Sequence, residues 1–542
     1  MTHINKQDLL DEIRYDIKVK DLLKARLVLS SLDKVDKDTQ KTALFEVSRA
    51  DDDFAIPLIA GVIANSQDVS KSFPLLKEAL ISKVLDSPQV LLDLFSKGDG
   101  LLDRGFLAEI AGEIRLEKAV PVLLGILNEE KDLEAIEKVI LSLGMIGDPS
   151  AVGPVSEFLS SDHREMVIAS VLTLGELATP EAIQKLAAKL GGDPDIDLMI
   201  LDIFAKGLVP DALEKLTETL GSQYAHIRTA GKQRLGEIGV MAARVLVRNL
   251  LSHDSDLVLH SLNVLGDIGN ESSIPAISKL LHNEPKDPNV RFAAYEALGR
   301  LPLEKGAYVL AVGLEDPVDN VRAAAAKAID RHYTPILAAG IKNLTRSGNA
   351  EAMKIMLTII NSQCDNIFLG LLEEDFFQAP AIKYLADNAH PDISSHFAEL
   401  LNNEEYNNLA DQISSQKTTK DKAKLKVFAV DDSKMILNIY RSFLHNLGYG
   451  SQLFEFPAVA LERLREEKPD VILTDLNMPD ITGIDFTRSI RQLYSEEDLP
   501  VIMVTTQDEA KDHKAAHEAG VNDIMQKPFT EEQIGKALGK FF

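Results

Sequence analysis

Over roughly the first 400 positions apolar residues recur at i, i+3 and i+4, the spacing of one face of an α-helix. From about residue 425 the pattern changes. Apolar residues gather into short bounded runs, LKVFAV, VILTD, VIMVT and DIMQ, each separated from the next by a stretch of helical period. Runs of that length, apolar on both faces, predict buried parallel strands. The chain is therefore expected to hold a long helical part followed by an α/β part.

The helical part repeats. A glycine in an apolar setting, with an aliphatic residue two positions later, occurs at Gly112, Gly144, Gly175, Gly236, Gly266 and Gly299. The intervals are 32, 31, 61, 30 and 33 residues, and the long one spans two copies with Ala205 in the middle. A second mark keeps the same period: Ile227-Arg228, Val290-Arg291 and Val321-Arg322, with Val258-Leu259 filling the gap. Each unit reads as two helices. Around Gly266, LVLHSLNVLGDIG and SSIPAISKLLHN are both amphipathic, with Gly269 placed to cap the first helix in the left-handed region. Ser272 and Ser273 are expected to cap the second, with Pro275 in its opening turn. Such pairs cannot bury both apolar faces alone, so they stack. The glycine within the helix costs up to ~1 kcal/mol against alanine, and is expected to be kept because a bare backbone lets the neighbouring helix approach.

These marks resemble HEAT repeats, in particular the short type related to the phycobilisome-lyase repeats. The resemblance implies an all-α HEAT-repeat α-solenoid over residues 1–411. Residues 1–100 would be divergent repeats with an N-terminal cap, 100–345 regular repeats, and 345–411 a C-terminal cap. The polar, turn-prone stretch around SSQKTTKDKAK predicts a linker at 412–424.

In the α/β part, chemistry collects at strand ends. Asp431 and Asp432 follow LKVFAV, Asp475 ends VILTD, Thr505 ends VIMVT, and Lys527 follows DIMQ. In an open α/β sheet, ligands bind outside the carboxyl ends of the strands, so these groups should converge on one crevice. Three gathered carboxylates repel one another unless a cation sits among them. Hard oxygen donors with room for water and phosphate suit Mg²⁺. Metal, ammonium and hydroxyl together would stabilise a phosphoryl group in transfer to the central carboxylate.

The elements VFAVDDS, VILTDLNMPDITG, PVIMVTT and DIMQKPF, at intervals of 43, 30 and 22 residues, resemble the CheY-like receiver domain of two-component response regulators. The resemblance implies a doubly wound (βα)5 flavodoxin-like domain over 425–542. It makes Asp475 the phosphoacceptor. Asp431, Asp432, Asp475 and the backbone carbonyl of Asn477 would hold Mg²⁺, and Thr505 and Lys527 would bind the phosphoryl oxygens. It also implies a cis peptide before Pro528. At the switch position three residues before the lysine, where receivers commonly carry an aromatic, stands Ile524. Signalling without a rotating ring would then depend on shifts around Thr505 and the segment from Gln507 to Ala519.

Charge narrows the partners. The net charge is −26. Residues 424–542 carry 14 Lys and Arg against 20 Asp and Glu, which leaves −20 on the helical part. An acidic surface of that size opposes non-specific contact with nucleic acid or anionic membrane. No apolar run approaches the ~18 residues of a membrane span, and the polar, acidic start MTHINKQDLLDEIRYD does not read as a signal peptide. One cysteine, Cys364, excludes an intramolecular disulfide framework and reads as a small buried apolar residue of a cytoplasmic protein.

Some short HEAT relatives are enzymes, but residues 1–423 lack the paired His-Glu dipeptides of the iron hydroxylases and the basic groove of a glycosylase. His226, His260, His332 and His390 are scattered and read as packing or surface residues. The expectation is a non-enzymatic response regulator, the receiver catalysing only its own phosphorylation and dephosphorylation. A histidine kinase would phosphorylate Asp475, and the receiver would then alter how the HEAT array grips a protein ligand, with homodimerisation left open. Moving a 1:99 equilibrium to 99:1 requires roughly 5.5 kcal/mol of preference, and a receiver that docks along the inner face of the array when unphosphorylated could supply the switch. The rival is a constitutive HEAT scaffold whose receiver is a docking module or phosphate sink.

Overall fold

The computed structural model of the protein describes residues 6–97, 102–207, 209–222, 224–303, 308–414, 425–478, 481–505 and 510–542. It is helical as far as Ser414 and α/β from Lys426. Two compact units divide it, Met1–Leu216 and Thr217–Phe542, so the sheet domain shares a unit with the second part of the helical array.

In the first unit the long helices of successive pairs are Arg104–Glu113, Leu133–Ile146, Arg164–Leu177 and Pro194–Gly207. Asp103 and Asp132 begin two of them, each accepting bonds from the first free amides. Leu133–Ile146 ends on Gly147 at φ 84°, whereas Arg164–Leu177 ends on Ala178 at φ 47°, a left-handed residue without the freedom of glycine. At Gly112 an added Cβ would lie 3.0 Å from the Ser142 Cα, so this glycine does permit close backbone approach.

The second unit continues the repeat with helices α1 (Ala225–Ile238), α2 (Ser255–Ile268), α3 (Pro288–Arg300), α4 (Asp319–Arg331) and α5 (Ala350–Asn361). The arginine mark has a structural reason. Arg228, Arg291 and Arg322 each donate to a backbone carbonyl six residues earlier, Ser222, Pro285 and Asp316, at 2.6, 2.7 and 2.7 Å. A guanidinium thus closes the turn that leads into each of those helices. Gly269 ends α2 in the left-handed region, as expected. The expected serine caps do not form. A 3₁₀ turn, Glu271–Ser273, precedes the helix Ile274–His282, so the first free amides come earlier and Asn270 caps them through the Ser272 N–H. Ser273 makes no cap, and Pro275 sits in the opening turn. Helix Asn407–Ser414 occupies the first three positions of the expected linker, and 415–424 lie outside the described residues.

The strands are β1 (Lys426–Val430), β2 (Gly450–Phe454), β3 (Val471–Asp475), β4 (Val501–Thr505) and β5 (Asp523–Gln526), all parallel in the order β2-β1-β3-β4-β5. Phe428, Val430 and Ile472 pack on one face against Phe486, Ala460 and Leu464. On the other face Val427, Ala429, Leu473 and Val504 pack against Tyr440 and Ile439 of helix α6 (Lys434–Asn446) and against Ile534 and Leu538. That second core runs on into the helical array: Ala323 of α4 belongs to it, and Phe292 of α3 packs against it.

Candidate phosphorylation site

The strand order reverses between β1 and β3, and the crevice this opens at their carboxyl ends is where ligands of such sheets bind. Asp431 leaves β1 fully buried, and its N–H donates to the Phe454 carbonyl at 3.1 Å. One of its oxygens accepts from the Ser433 amide at 2.9 Å, and Ser433 in turn caps α6. Its other oxygen lies 2.6 Å from Lys527 Nζ, which is also 3.1 Å from an Asp475 oxygen. Oxygens of Asp431, Asp432 and Asp475 all lie within 4.8 Å of one another.

The remaining expected residues fall around this centre. Asn477 follows β3 and lines the same cavity. Thr505 ends β4 almost fully buried, and its carbonyl accepts from the Lys527 N–H at 2.7 Å. The Lys527–Pro528 peptide is cis. Ile524 is half-buried on β5 against Leu476, Met503, Ala516 and Val521. Gln507 lies outside the described residues, while Ala510–Glu518 is helical. Gly483, which the sequence reading passed over, opens the helix after β3. A Cβ there would overlap the Asp475 carbonyl, so the bare backbone lets that helix close against the acidic strand end.

Electrostatics match the crowding. Burial, ahead of the repulsion from Asp475, pushes the Asp431 carboxyl up to about 7 despite Lys527, and Asp432 is raised for the same two reasons. Burial works against the Lys527 ammonium, yet Asp431 and Asp475 carry it well above the usual lysine range. One ammonium against three carboxylates leaves a deficit of positive charge, and the donors are all hard oxygen. That set fits a divalent cation such as Mg²⁺.

The wall opposite the carboxylates comes from the helical array. A cavity of about 170 Å³ is bounded by Asp431, Asp432, Asp475, Asn477 and Lys527 on one side, and by residues of α1 to α4 on the other. Among the latter are Lys232, His260, Glu296 and Asn320, and beside them Asn289 donates to the Lys527 carbonyl at 2.7 Å. His260, read from sequence as a packing or surface histidine, is buried on this wall.

Comparison with known proteins agrees with the geometry. The response regulator receiver domain matches residues 427–539, and HEAT repeats match 120–199 and 245–330. Over 119 residues the chain is 34% identical to the chemotaxis protein CheY-3 of Vibrio cholerae, covering 22% of this chain and 92% of that protein. Identity to the chemotaxis protein CheY of Pseudomonas aeruginosa is also 34% over 119 residues, covering 22% and 96%. The aerobic respiration control sensor protein ArcB of Escherichia coli is 30% identical over 118 residues, 22% of this chain, which spans only 15% of ArcB. Among solved structures, chemotaxis protein CheY4 of Vibrio cholerae is 30% identical, with 22% of this chain and 100% of that one covered and a TM-score of 0.22. The receiver domain of sensor histidine kinase PA1611 from Pseudomonas aeruginosa, described with magnesium coordinated in its active-site cleft, is 26% identical, covering 22% and 98%, with a TM-score of 0.21.

Sheet order, crevice and sequence together define a receiver protein of two-component signalling. The chain belongs to the response regulators of the CheY type, its receiver domain preceded by HEAT repeats. Neither of these folds is one usually built around catalysis of an external substrate, and no helix among the described residues is long and apolar enough to cross a membrane.

Proposed function

We propose that the protein is a response regulator in which phosphorylation of Asp475 by a histidine kinase changes the docking of the receiver on its own HEAT array, and so what the array can bind. The observation that carries this reading is the position of the candidate phosphoacceptor: Asp475 and Lys527 face a cavity whose other wall is the array. A change of charge at Asp475 is therefore felt directly at the interface.

In the transfer, a carboxylate oxygen of Asp475 supplies the electron pair that forms the bond to phosphorus. The donor's P–N bond (P–O for acetyl phosphate) breaks, and its electron pair leaves with the imidazole or acetate. Asp431, Asp432, Asp475 and the Asn477 carbonyl are the residues that would hold Mg²⁺, which supplies charge neutralisation to the phosphoryl oxygens. Lys527 orients one phosphoryl oxygen. Thr505, at the end of the adjacent strand, serves as the hydroxyl partner of another. Ile524 packs rather than rotates, so the readout is the receiver–array contact itself. We place the reaction in the cytoplasm, where histidine kinases present their phosphodonor, with residues 1–411 as the HEAT domain and 425–542 as the receiver.

The constitutive-scaffold alternative gives no reason for the array to close over the crevice. Intact-mass measurement after incubation with Mg²⁺ and acetyl phosphate should show one alkali-labile phosphate adduct that Asp475→Asn abolishes. An unmodified wild-type chain would overturn the reading.

A further inference from the structure

We propose that the HEAT array furnishes part of the phosphoryl pocket itself, with Lys232 of α1 and His260 of α2 as binding residues for the phosphoryl group on Asp475. This rests on the reading of Asp475 as phosphoacceptor, and it assigns the direction of the switch: phosphorylation tightens the receiver on the array.

The first argument is unfilled bonding capacity. Buried polar atoms in folded proteins are nearly all hydrogen-bonded, and each exception asks for a reason. On the array side of this one cavity, both ring nitrogens of His260 and the side-chain oxygen of Asn320 are buried without a partner, and both residues are at most 3% exposed. The cavity, about 170 Å³, far exceeds the ~10–15 Å³ one water needs. Both residues border the cavity; the protonated ring nitrogen of His260 is the donor that a phosphoryl oxygen entering it could use, whereas the Asn320 oxygen can only accept.

Charge says what that partner is. Lys232 is mostly buried, and burial together with Arg228 depresses its ammonium, while Asp432, Asp475 and Asp267 act in the opposite sense. Two of those three carboxylates belong to the crevice. Lys527 is already engaged by Asp431 and Asp475, and an aspartyl phosphate of about −1.5 to −2 in place of the carboxylate's single charge leaves, even with Mg²⁺ bound, an excess of negative charge that a second ammonium would balance. Lys232 stands on the facing wall. Burial keeps His260 neutral, with one N–H to donate to a phosphoryl oxygen. Glu296 shares the wall, and burial raises its carboxyl above the usual range despite Arg300, which lessens its repulsion of a phosphoryl group.

These contacts exist only when the phosphoryl group is present. They favour the docked arrangement of the phosphorylated chain over the unphosphorylated one, and differential interaction of that kind is what shifts an equilibrium.

The test uses the full chain with Mg²⁺ and beryllofluoride as the phosphoryl mimic, followed by hydrogen exchange. Wild type should gain protection in the receiver strands and also in α2, Ser255–Ile268. Lys232→Met should weaken the apparent beryllofluoride affinity at least about tenfold, the scale of losing a charge-assisted hydrogen bond. Lys232→Arg should restore most of it, which separates a lost cation from a misfolded helix. His260→Phe should remove the added protection of α2. If Lys232→Met and His260→Phe bind beryllofluoride and protect α2 as wild type does, the array is not part of the pocket, although Asp475 remains the acceptor. If the wild-type receiver itself gives no response, the acceptor assignment fails first.

Discussion

The side-chain amide of Asn289 donates a 2.7 Å hydrogen bond to the backbone carbonyl of Lys527, across 238 positions of sequence. It ties the opening turn of α3 to the residue whose ammonium holds Asp431 and Asp475. Removing the donor leaves a part-buried carbonyl without its partner, a loss of about 1 kcal/mol. Asn289→Ala should therefore raise undocking-limited amide exchange in α6 about fivefold. Asp392→Ala, which removes the exposed carboxylate 3.7 Å from Arg441, should change it far less, because exposed ion pairs are worth ~0–1 kcal/mol. Equal effects of the two substitutions would show that the amide bond does not hold the receiver in place.

Metal should weaken the pH dependence of stability. Burial raises Asp431 to about 7 and raises Asp432 as well, so between about pH 4 and pH 7 the folded state binds more protons than the unfolded one. Their contribution to stability is complete below the ordinary carboxylate range and is lost as the pH rises through about 7. The metal-free protein should accordingly lose stability from pH 5 to pH 8. Mg²⁺ binds the deprotonated carboxylates of the native state, so its stabilisation should be larger at pH 8 than at pH 6, about 1.4 kcal/mol at tenfold excess over Kd. Thermal melts across that range with Mg²⁺ and with chelator measure both slopes. A chelated sample that gains stability toward pH 8 would contradict the assignment.

The α/β half was legible because its strands are short apolar runs and its reactive groups stand at their ends, where the parallel topology must bring them together. Asp431, Asp475 and Lys527 needed no tertiary information beyond that. Lys232, His260 and Glu296 were not legible as a site. They lie on three different helices, and what assembles them is the receiver's position on the array, which no local period encodes. His260 shows the difficulty plainly: a histidine among Leu259, Ser261 and Leu262 reads as packing until the cavity beside it is seen. The serine caps missed for a local reason, the 3₁₀ turn that shifts the free amides to Asn270.

The glycine mark was read as one requirement repeated six times, and the structure separates it into different cases. At Gly112 an added Cβ would sit 3.0 Å from the Ser142 Cα, a backbone atom that cannot swing aside. At Gly266 the nearest atoms belong to the Arg300 side chain, which can move. At Gly236 nothing lies within 4 Å, and the residue is exposed on α1. Alanine is favoured over glycine inside a helix by up to ~1 kcal/mol where space is free. Gly236→Ala should therefore stabilise the protein by about 0.5–1 kcal/mol. Gly112→Ala, which forces two packed helices apart, should instead cost about 1–3 kcal/mol. Urea unfolding of the two variants beside wild type tests this, with the transitions of the two units followed separately by hydrogen exchange. Destabilisation by both would mean that the repeat needs its glycine for something other than helix approach. A stabilised Gly112→Ala would mean that Ser142 and its helix yield more readily than their packing implies.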